Sequence, residues 1–248
     1  MAKISAKDII TAAVHFGHRP SRWNPKMARY IWGKRNGIHI IDIRATLRGI
    51  IEATAFLKAA ASSGGKFLFV GTKRQAKDAV RKEAARTGMP FVSERWLGGT
   101  LTNLKAIRSQ VGHLRDLERI ESDGTLAGYT KKMASAFRRE KRKIVRNLDG
   151  IRTMELLPSA IIVVDPCREN IAVSEAFKLR VPLIALLDTD CDPDPIDVPI
   201  PANSDAIRSV SLILSYLGQA IIEGRLAGGY PIPQEARPVE EAPAAAPA

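Results

Sequence analysis

No apolar run in this chain reaches the roughly 20 residues that a membrane-spanning helix requires, so its charge is not the flank of a spanning segment. Its first residues, MAKISAKDIITAAVHFGHR, lack the uninterrupted apolar stretch of a secretory signal and place Asp8 where a transit peptide avoids acid. A cytoplasmic location with no membrane partner is the expectation. Cysteine is scarce: Cys167 and Cys191 are the only two, too few for a disulfide framework or a metal knuckle, and both are expected as free thiols. No repeat with a period of about 20 to 50 residues is visible, which excludes a solenoid. Acid is missing altogether between His15 and Ile41.

What fills that acid-free stretch is a set of six cations, Arg19, Arg22, Lys26, Arg29, Lys34 and Arg35, around Trp23, Tyr30 and Trp32. Cations neutralise phosphates and release condensed counterions, while aromatic and guanidinium planes stack on unpaired bases. The whole chain repeats the bias: 38 Lys plus Arg against 26 Asp plus Glu give a formal charge of +12 and a pI near 10. A polyanion is the natural partner. At 248 residues and 45% hydrophobic content the chain is long enough for a substantial core.

The apolar pattern alternates between strand and helix. YIWGKRNGIHIIDI suggests a hairpin turning at Asn36-Gly37, and Thr46 to Ser62 has helical period. KFLFVGT suggests a buried strand before a helix from Lys73 to Thr87, with MPFVS as the next strand. Downstream come SAIIVVD, a helix from Asn170 to Leu179, PLIALLD, a short strand near Val198 and a helix from Asp205 to Arg225. Buried runs separated by helices predict an α/β fold, a mostly parallel central sheet flanked by helices in a flavodoxin or Rossmann-like manner.

Between Leu101 and Met154 no strand is predicted. Leu104, Ile107, Val111, Leu114 and Leu117 form one seam, and Met133, Phe137, Ile144, Leu148 and Ile151 another, as in an inserted antiparallel coiled-coil hairpin. Its second helix carries Lys131, Lys132, Arg138, Arg139, Lys141, Arg142, Lys143 and Arg146 against Glu140, a face that repels itself unless a polyanion covers it. The expected organisation is therefore 1–100 and 155–228 as two parts of one α/β domain, 101–154 as a separable inserted hairpin, and 229–248 as a disordered Pro/Ala-rich tail.

Motifs for chemistry are lacking. No stretch reads GxGxxG, and VGTKRQA lacks the glycine and the Gly-Lys-Ser/Thr end of a phosphate loop, although Lys73 and Arg74 at that junction remain candidates for an RNA phosphate. HExxH, GxSxG and a Ser/His/Asp grouping are also absent. In ERWLGGTLTN, Arg95 and Trp96 either meet RNA or form a hinge in which Trp96 packs. The run DTDCDPDPID is either a polar loop or part of a site in which His18, Asp188 and Asp205 hold a single divalent ion, zinc for the mixed set or magnesium for an all-oxygen one. No cofactor is required and no small-molecule substrate is expected.

Taken in order, HFGHRPSRWNPKMARYIWGKRNGIHIIDIRAT, FVGTKRQA, ERWLGGTLTN, IIVVDP and DTDCDPDPIDVPIPANSDAIRS resemble the bacterial small-subunit (30S) ribosomal protein S-two family from about residue 3 to Gly224. The resemblance implies a parallel α/β domain with an inserted coiled-coil hairpin and no enzymatic activity. It further implies a place on the solvent side of the small subunit at the head-body junction, binding of 16S ribosomal RNA, and help in anchoring the mRNA-capturing ribosomal protein S-one beside neighbouring small-subunit proteins. The alternative built on the same sheet is an RNA-dependent enzyme or a nucleotide-binding regulator. The tail after Gly229 and Cys191 depart from the family pattern, and no role carries over to them.

Overall fold

The computed structural model describes residues 5–123 and 129–233. The predicted disordered tail lies outside them from residue 234 onward, as does the bend of the hairpin at 124–128. In chain order the elements are α1 (Ala6–Thr11), β1 (Ile31–Arg35), β2 (Ile38–Ile41), α2 (Ile43–Ser62), β3 (Phe67–Val70), α3 (Lys77–Thr87), β4 (Phe91–Val92), α4 (Leu104–Ser122), α5 (Lys131–Leu148), β5 (Ala160–Val164), α6 (Asn170–Leu179), β6 (Leu183–Leu187), β7 (Val198–Pro201) and α7 (Ile207–Ala227).

Five of the strands form one sheet in the order β4-β3-β5-β6-β7, every neighbouring pair parallel. This is the flavodoxin-like winding, in which the chain reverses direction across the sheet between its first and third strands, here β3 and β5. Every residue of β3, β5 and β6 is buried, because parallel strands covered on both faces need apolar side chains on both. Phe67, Phe69, Ile162, Val164, Ile184 and Leu186 point into one core layer with α2, α3 and α7. Leu68, Val70, Ile161, Val163, Leu183 and Leu187 point into the other, under α6 and the hairpin stem. The strict alternation is the period-2 geometry of a strand.

Local signals set several boundaries. Asn36 (φ 49°) and Gly37 (φ 76°) both adopt left-handed backbone, the pair that a two-residue hairpin turn requires. Asp42 accepts from the Arg44 N–H and caps α2, so that helix starts at Ile43, earlier than its apolar period indicates. α3 starts later than expected, at Lys77, because Thr72 and Lys73 are drawn into contacts with Glu169 and Asp165.

The hairpin is antiparallel in its seam but is not self-contained. Ile107, Val111, Leu148, Ile151 and Met154 share one buried cluster with Leu68, Val70, Ile161 and Val163 of the sheet. Gly150 lies so close to β4 that a Cβ there would stand 2.2 Å from the Phe91 carbonyl oxygen. Farther out, Leu114 and Leu117 are buried and Phe137 meets Tyr129 edge to face, whereas Met133, expected in the seam, is exposed. The stem thus roofs the sheet, and only the outer length packs on itself.

One buried acid joins the hairpin to α6. Glu175 accepts from the Trp96 indole N–H (3.1 Å), the backbone N–H groups of Gly99 (2.8 Å), Leu101 (3.0 Å) and Thr102 (3.1 Å), and the Thr102 hydroxyl (3.1 Å). Burial pushes its pKa up, but the bonds to Thr102, Trp96, Gly99 and Leu101 together outweigh that and hold it below the usual range. The ERWLGGTLTN loop is therefore wound around a carboxylate, and Trp96 is packing, not an exposed base platform.

Two outcomes follow from this arrangement. Because a depressed carboxylate pKa contributes stability that is present above the unfolded pKa and lost as pH falls through the folded one, Glu175→Gln should cost about 2 to 4 kcal/mol at neutral pH and flatten the acid limb of the stability profile, read by urea titration at several pH values. Excision of 101–154 with a short Gly/Ser link should abolish cooperative unfolding, since it bares one face of the sheet. A retained sharp urea transition in the excised protein would contradict the shared core.

Candidate nucleic-acid interface

The acid-free N-terminal segment folds over the C-terminal ends of β6 and β7. Three backbone bonds lace it to the hairpin, Gly17 N–H to His39 O (2.9 Å), His39 N–H to His18 O (3.0 Å) and Ile41 N–H to His15 O (2.8 Å). Thr189, the second residue after β6, receives it: the His18 N–H donates to Thr189 Oγ1 (2.8 Å) and the Asn24 N–H to Thr189 O (2.8 Å). Gly17 has to be glycine at this crossing, where a Cβ would stand 2.5 Å from Thr189 Cγ2. Asn203 completes the seat by donating to the Ala13 and Val14 carbonyls.

At the same edge His18, Asp188 and Asp205 are brought together, with one ligand atom of each within 4.8 Å of the others. His18 Nδ1 stands 2.9 Å from Asp188 Oδ1 and Nε2 3.2 Å from Asp205 Oδ2. Asp188 is 1% exposed and accepts from the Thr189 N–H (2.7 Å) and the Ser204 N–H (3.1 Å). The Asp188 carboxylate against its ring raises the His18 pKa to about 9, with smaller help from Asp190 and Asp205 and against the effect of burial. Metal-free, the trio is an imidazolium between two carboxylates, and its mixed nitrogen and oxygen donors fit zinc better than magnesium.

The expected cations fall into two groups. Arg19, Arg22, Arg29, Lys34 and Arg35 are exposed on the N-terminal segment and hairpin, beside Trp23, which tilts onto His39, and Trp32, which is 76% exposed. Tyr30 is half-buried with the Arg29 guanidinium 4.8 Å over its ring. Arg74 and Arg95 are exposed on the loops after β3 and β4. On α5, Lys131, Lys132, Arg138, Arg139, Arg142, Lys143 and Arg146 are exposed, and at about 100° per residue they fall within an arc of about 140° opposite the seam. That face of the helix carries Ser135 and these cations but no acid.

Three others are committed within the protein. Lys26 lies between Asp192 (2.7 Å) and Asp194 (2.5 Å), and Lys141 pairs with Glu121. Lys73, expected as a phosphate contact, is only 12% exposed and bonds Asp165 (3.0 Å), Ser204 (2.8 Å) and Asp205. It sits at the crevice between β3 and β5, where a nucleotide would bind in this winding. Glu169 fills the rest of that crevice, accepting from the Thr72 N–H (2.8 Å) and Thr72 hydroxyl (2.5 Å), while Arg168 donates to the same hydroxyl (3.2 Å). The backbone donor that would cradle a phosphate is already spent on a carboxylate.

Sequence reasoning missed Asp165, Glu169, Glu175, Thr189 and Ser204. The available signal was position: acids and hydroxyls at the ends of buried apolar runs, where a parallel sheet gathers its loops. Two comparisons bear on this edge and the surface beside it. The family model described as "Ribosomal protein S2" matches residues 9–224. The small ribosomal subunit protein uS2 of Rhodopirellula baltica is 54% identical over 225 residues, covering 91% of this chain and 86% of that protein. The match embraces the docked N-terminal segment, the roofed sheet and the cationic hairpin together, and so the chain belongs to the ribosomal protein S-two family, whose members are structural components of the ribosome and not enzymes.

Proposed function

We propose that this chain is a structural component of the small ribosomal subunit that binds 16S ribosomal RNA through the cationic N-terminal segment, the loops bearing Arg74 and Arg95, and the outer face of α5. The single observation carrying this reading is the exposed α5 arc, seven cations turned away from the apolar seam, a surface that only a polyanion of some length would cover. Phosphate contacts dominate, because arginines and lysines outnumber the side chains suited to reading base edges. Trp32 adds a stacking platform for an unpaired base. The position at the head-body junction, the cytoplasmic location on the ribosome, and the anchoring of ribosomal protein S-one among neighbouring proteins rest on the family resemblance.

We also propose that one zinc ion joins His18, Asp188 and Asp205 and pins the N-terminal segment to the sheet edge. These ligands fit it because Asp188 keeps one oxygen toward His18 while its backbone bonds fix its orientation. Bound there, the ion would take the place of the imidazolium proton. Elemental analysis of purified protein should find one equivalent of zinc fewer in Asp205→Asn than in the wild type, with the thermal melt recorded for both; equal metal in both proteins would refute the site.

In filter-binding titrations with 16S RNA, log affinity should fall linearly with log salt, with a slope of about 0.7 to 0.9 per phosphate neutralised. Arg19→Ala, Arg22→Ala and Arg29→Ala combined should flatten that slope by about 2 to 3 and leave the thermal melt unchanged. Lys73→Ala should do the reverse, costing about 3 kcal/mol of stability by stranding Asp165 with little change in slope. A salt-independent affinity, or a monomer stabilised by nucleotide and indifferent to RNA, would favour the regulator reading instead.

A further inference from the structure

Two thiols and a carboxylate converge at the C-terminal ends of β5 and β6, apart from the basic surface. Cys167 lies in the loop after β5 and Cys191 in the loop after β6. One ligand atom from each of Asp165, Cys167 and Cys191 lies within 4.8 Å of the other two. Cys191 is fully buried, its Sγ 3.8 Å from Asp165 Oδ1 and 3.5 Å from Asp190 Oδ1. Cys167 is exposed, with its Sγ 3.3 Å from the Asp190 carbonyl oxygen.

Asp165 is unusual in its own right. It adopts a left-handed backbone, φ 64°, a conformation that costs a non-glycine residue free energy and persists only where its surroundings enforce it. Its carbonyl is held by the N–H groups of Arg168 (3.1 Å) and Glu169 (3.2 Å). Lys73 occupies its Oδ2 at 3.0 Å, while Oδ1 accepts from the Arg168 N–H at 3.4 Å and also faces the Cys191 sulfur. A groove of about 460 Å³, lined by Pro166, Cys167, Val173, Phe177, Asp192 and Pro195, opens directly onto Cys167.

We propose that Asp165, Cys167 and Cys191 form a binding site for one thiophilic divalent cation, zinc in its chemistry, with a fourth coordination position open to the groove. Sulfur donors select this class of ion where carboxylate and carbonyl sets select magnesium or calcium. Two thiolates about 2.3 Å from one zinc stand at most about 4.6 Å apart, so the observed clustering needs only small side-chain rotation. The carboxylate of Asp165 supplies the third ligand, and Lys73 on its other oxygen offsets part of the negative charge. Binding exchanges the two thiol protons, released to solvent, for two metal–sulfur bonds, with no change of oxidation state. The ion would tie the loop after β5 to the loop after β6. This donor set is separate from His18, Asp188 and Asp205, which offer no sulfur.

The test uses the full-length protein, reduced, stripped of metal and titrated with cobalt(II). In the His18→Asn background, which removes the imidazole site, a thiolate-to-cobalt charge-transfer absorption should saturate at one equivalent, the exposed Cys167 should become protected from iodoacetamide, and zinc should bleach the band while keeping the protection. Cys167→Ser, at an exposed position, and Cys191→Ser should each abolish the band, and Asp165→Asn should weaken cobalt binding by about tenfold or more. His18→Asn should leave the band intact, which separates this site from the imidazole one. Cobalt bound without charge-transfer absorption, alkylation at the same rate with and without metal, a band surviving in Cys167→Ser, or oxidation of the pair to a disulfide with zinc present would each overturn the proposal.

Discussion

The Asp188 carboxylate is the constraint on which the arrangement of the functional surface depends. It follows β6 fully buried, so it needs partners: beside its neighbour Thr189, they come from two distant places, Ser204 ahead of α7 and His18 in the N-terminal segment. Meeting the needs of one buried charge thus fixes how the sheet edge, the last helix and the basic segment sit together. Thr189 and Asn203 then bind the segment's backbone, and Asp192 and Asp194 hold Lys26. A run of sequence with few apolar residues of its own acquires a defined shape by leaning on an acidic edge. The remaining arginines are left exposed because the local acids are already paired.

The same sheet shows how a nucleotide-binding winding becomes a scaffold. In this topology the crevice where strand order reverses is the customary ligand site. Here it is closed by Glu169 on Thr72 and by Lys73 on Asp165, contacts that join the two strands flanking the crevice. Burial raises the Glu169 pKa against the opposing pull of Thr72, the signature of an acid serving structure in a dry place. Fold alone could not distinguish these uses; the occupants of the crevice do.

Much of the fold was legible because its signals are local. Continuous apolar runs such as AIIVV and LIALL can satisfy only a strand covered on both faces, Asn36-Gly37 can make only a few turns, and the cationic residues of α5 declare their arc by spacing alone. What escaped were relations between residues far apart in the chain. Nothing near Glu175 indicates that it anchors a loop more than 70 residues earlier, and Lys73 reads as a free cation until Asp165 and Asp205 are placed beside it. The hairpin looked self-contained because a heptad seam and a stem packed on a sheet use the same leucines and isoleucines. The grouping of His18 with Asp188 and Asp205 was legible for a topological reason: parallel strands deliver their following loops to one edge.

The cationic arc of α5 gives salt two opposite roles. In the free protein its like charges, stacked along one helix face, repel each other, and the strain is carried by the apolar contacts of Leu114, Leu117 and Leu148 beneath them. Added ions screen that repulsion and tighten the helix, yet the same ions would weaken the attraction of this arc for the polyanion proposed above. The hairpin therefore stores unfavourable electrostatic free energy along this face, which a chain of phosphates laid against it would release.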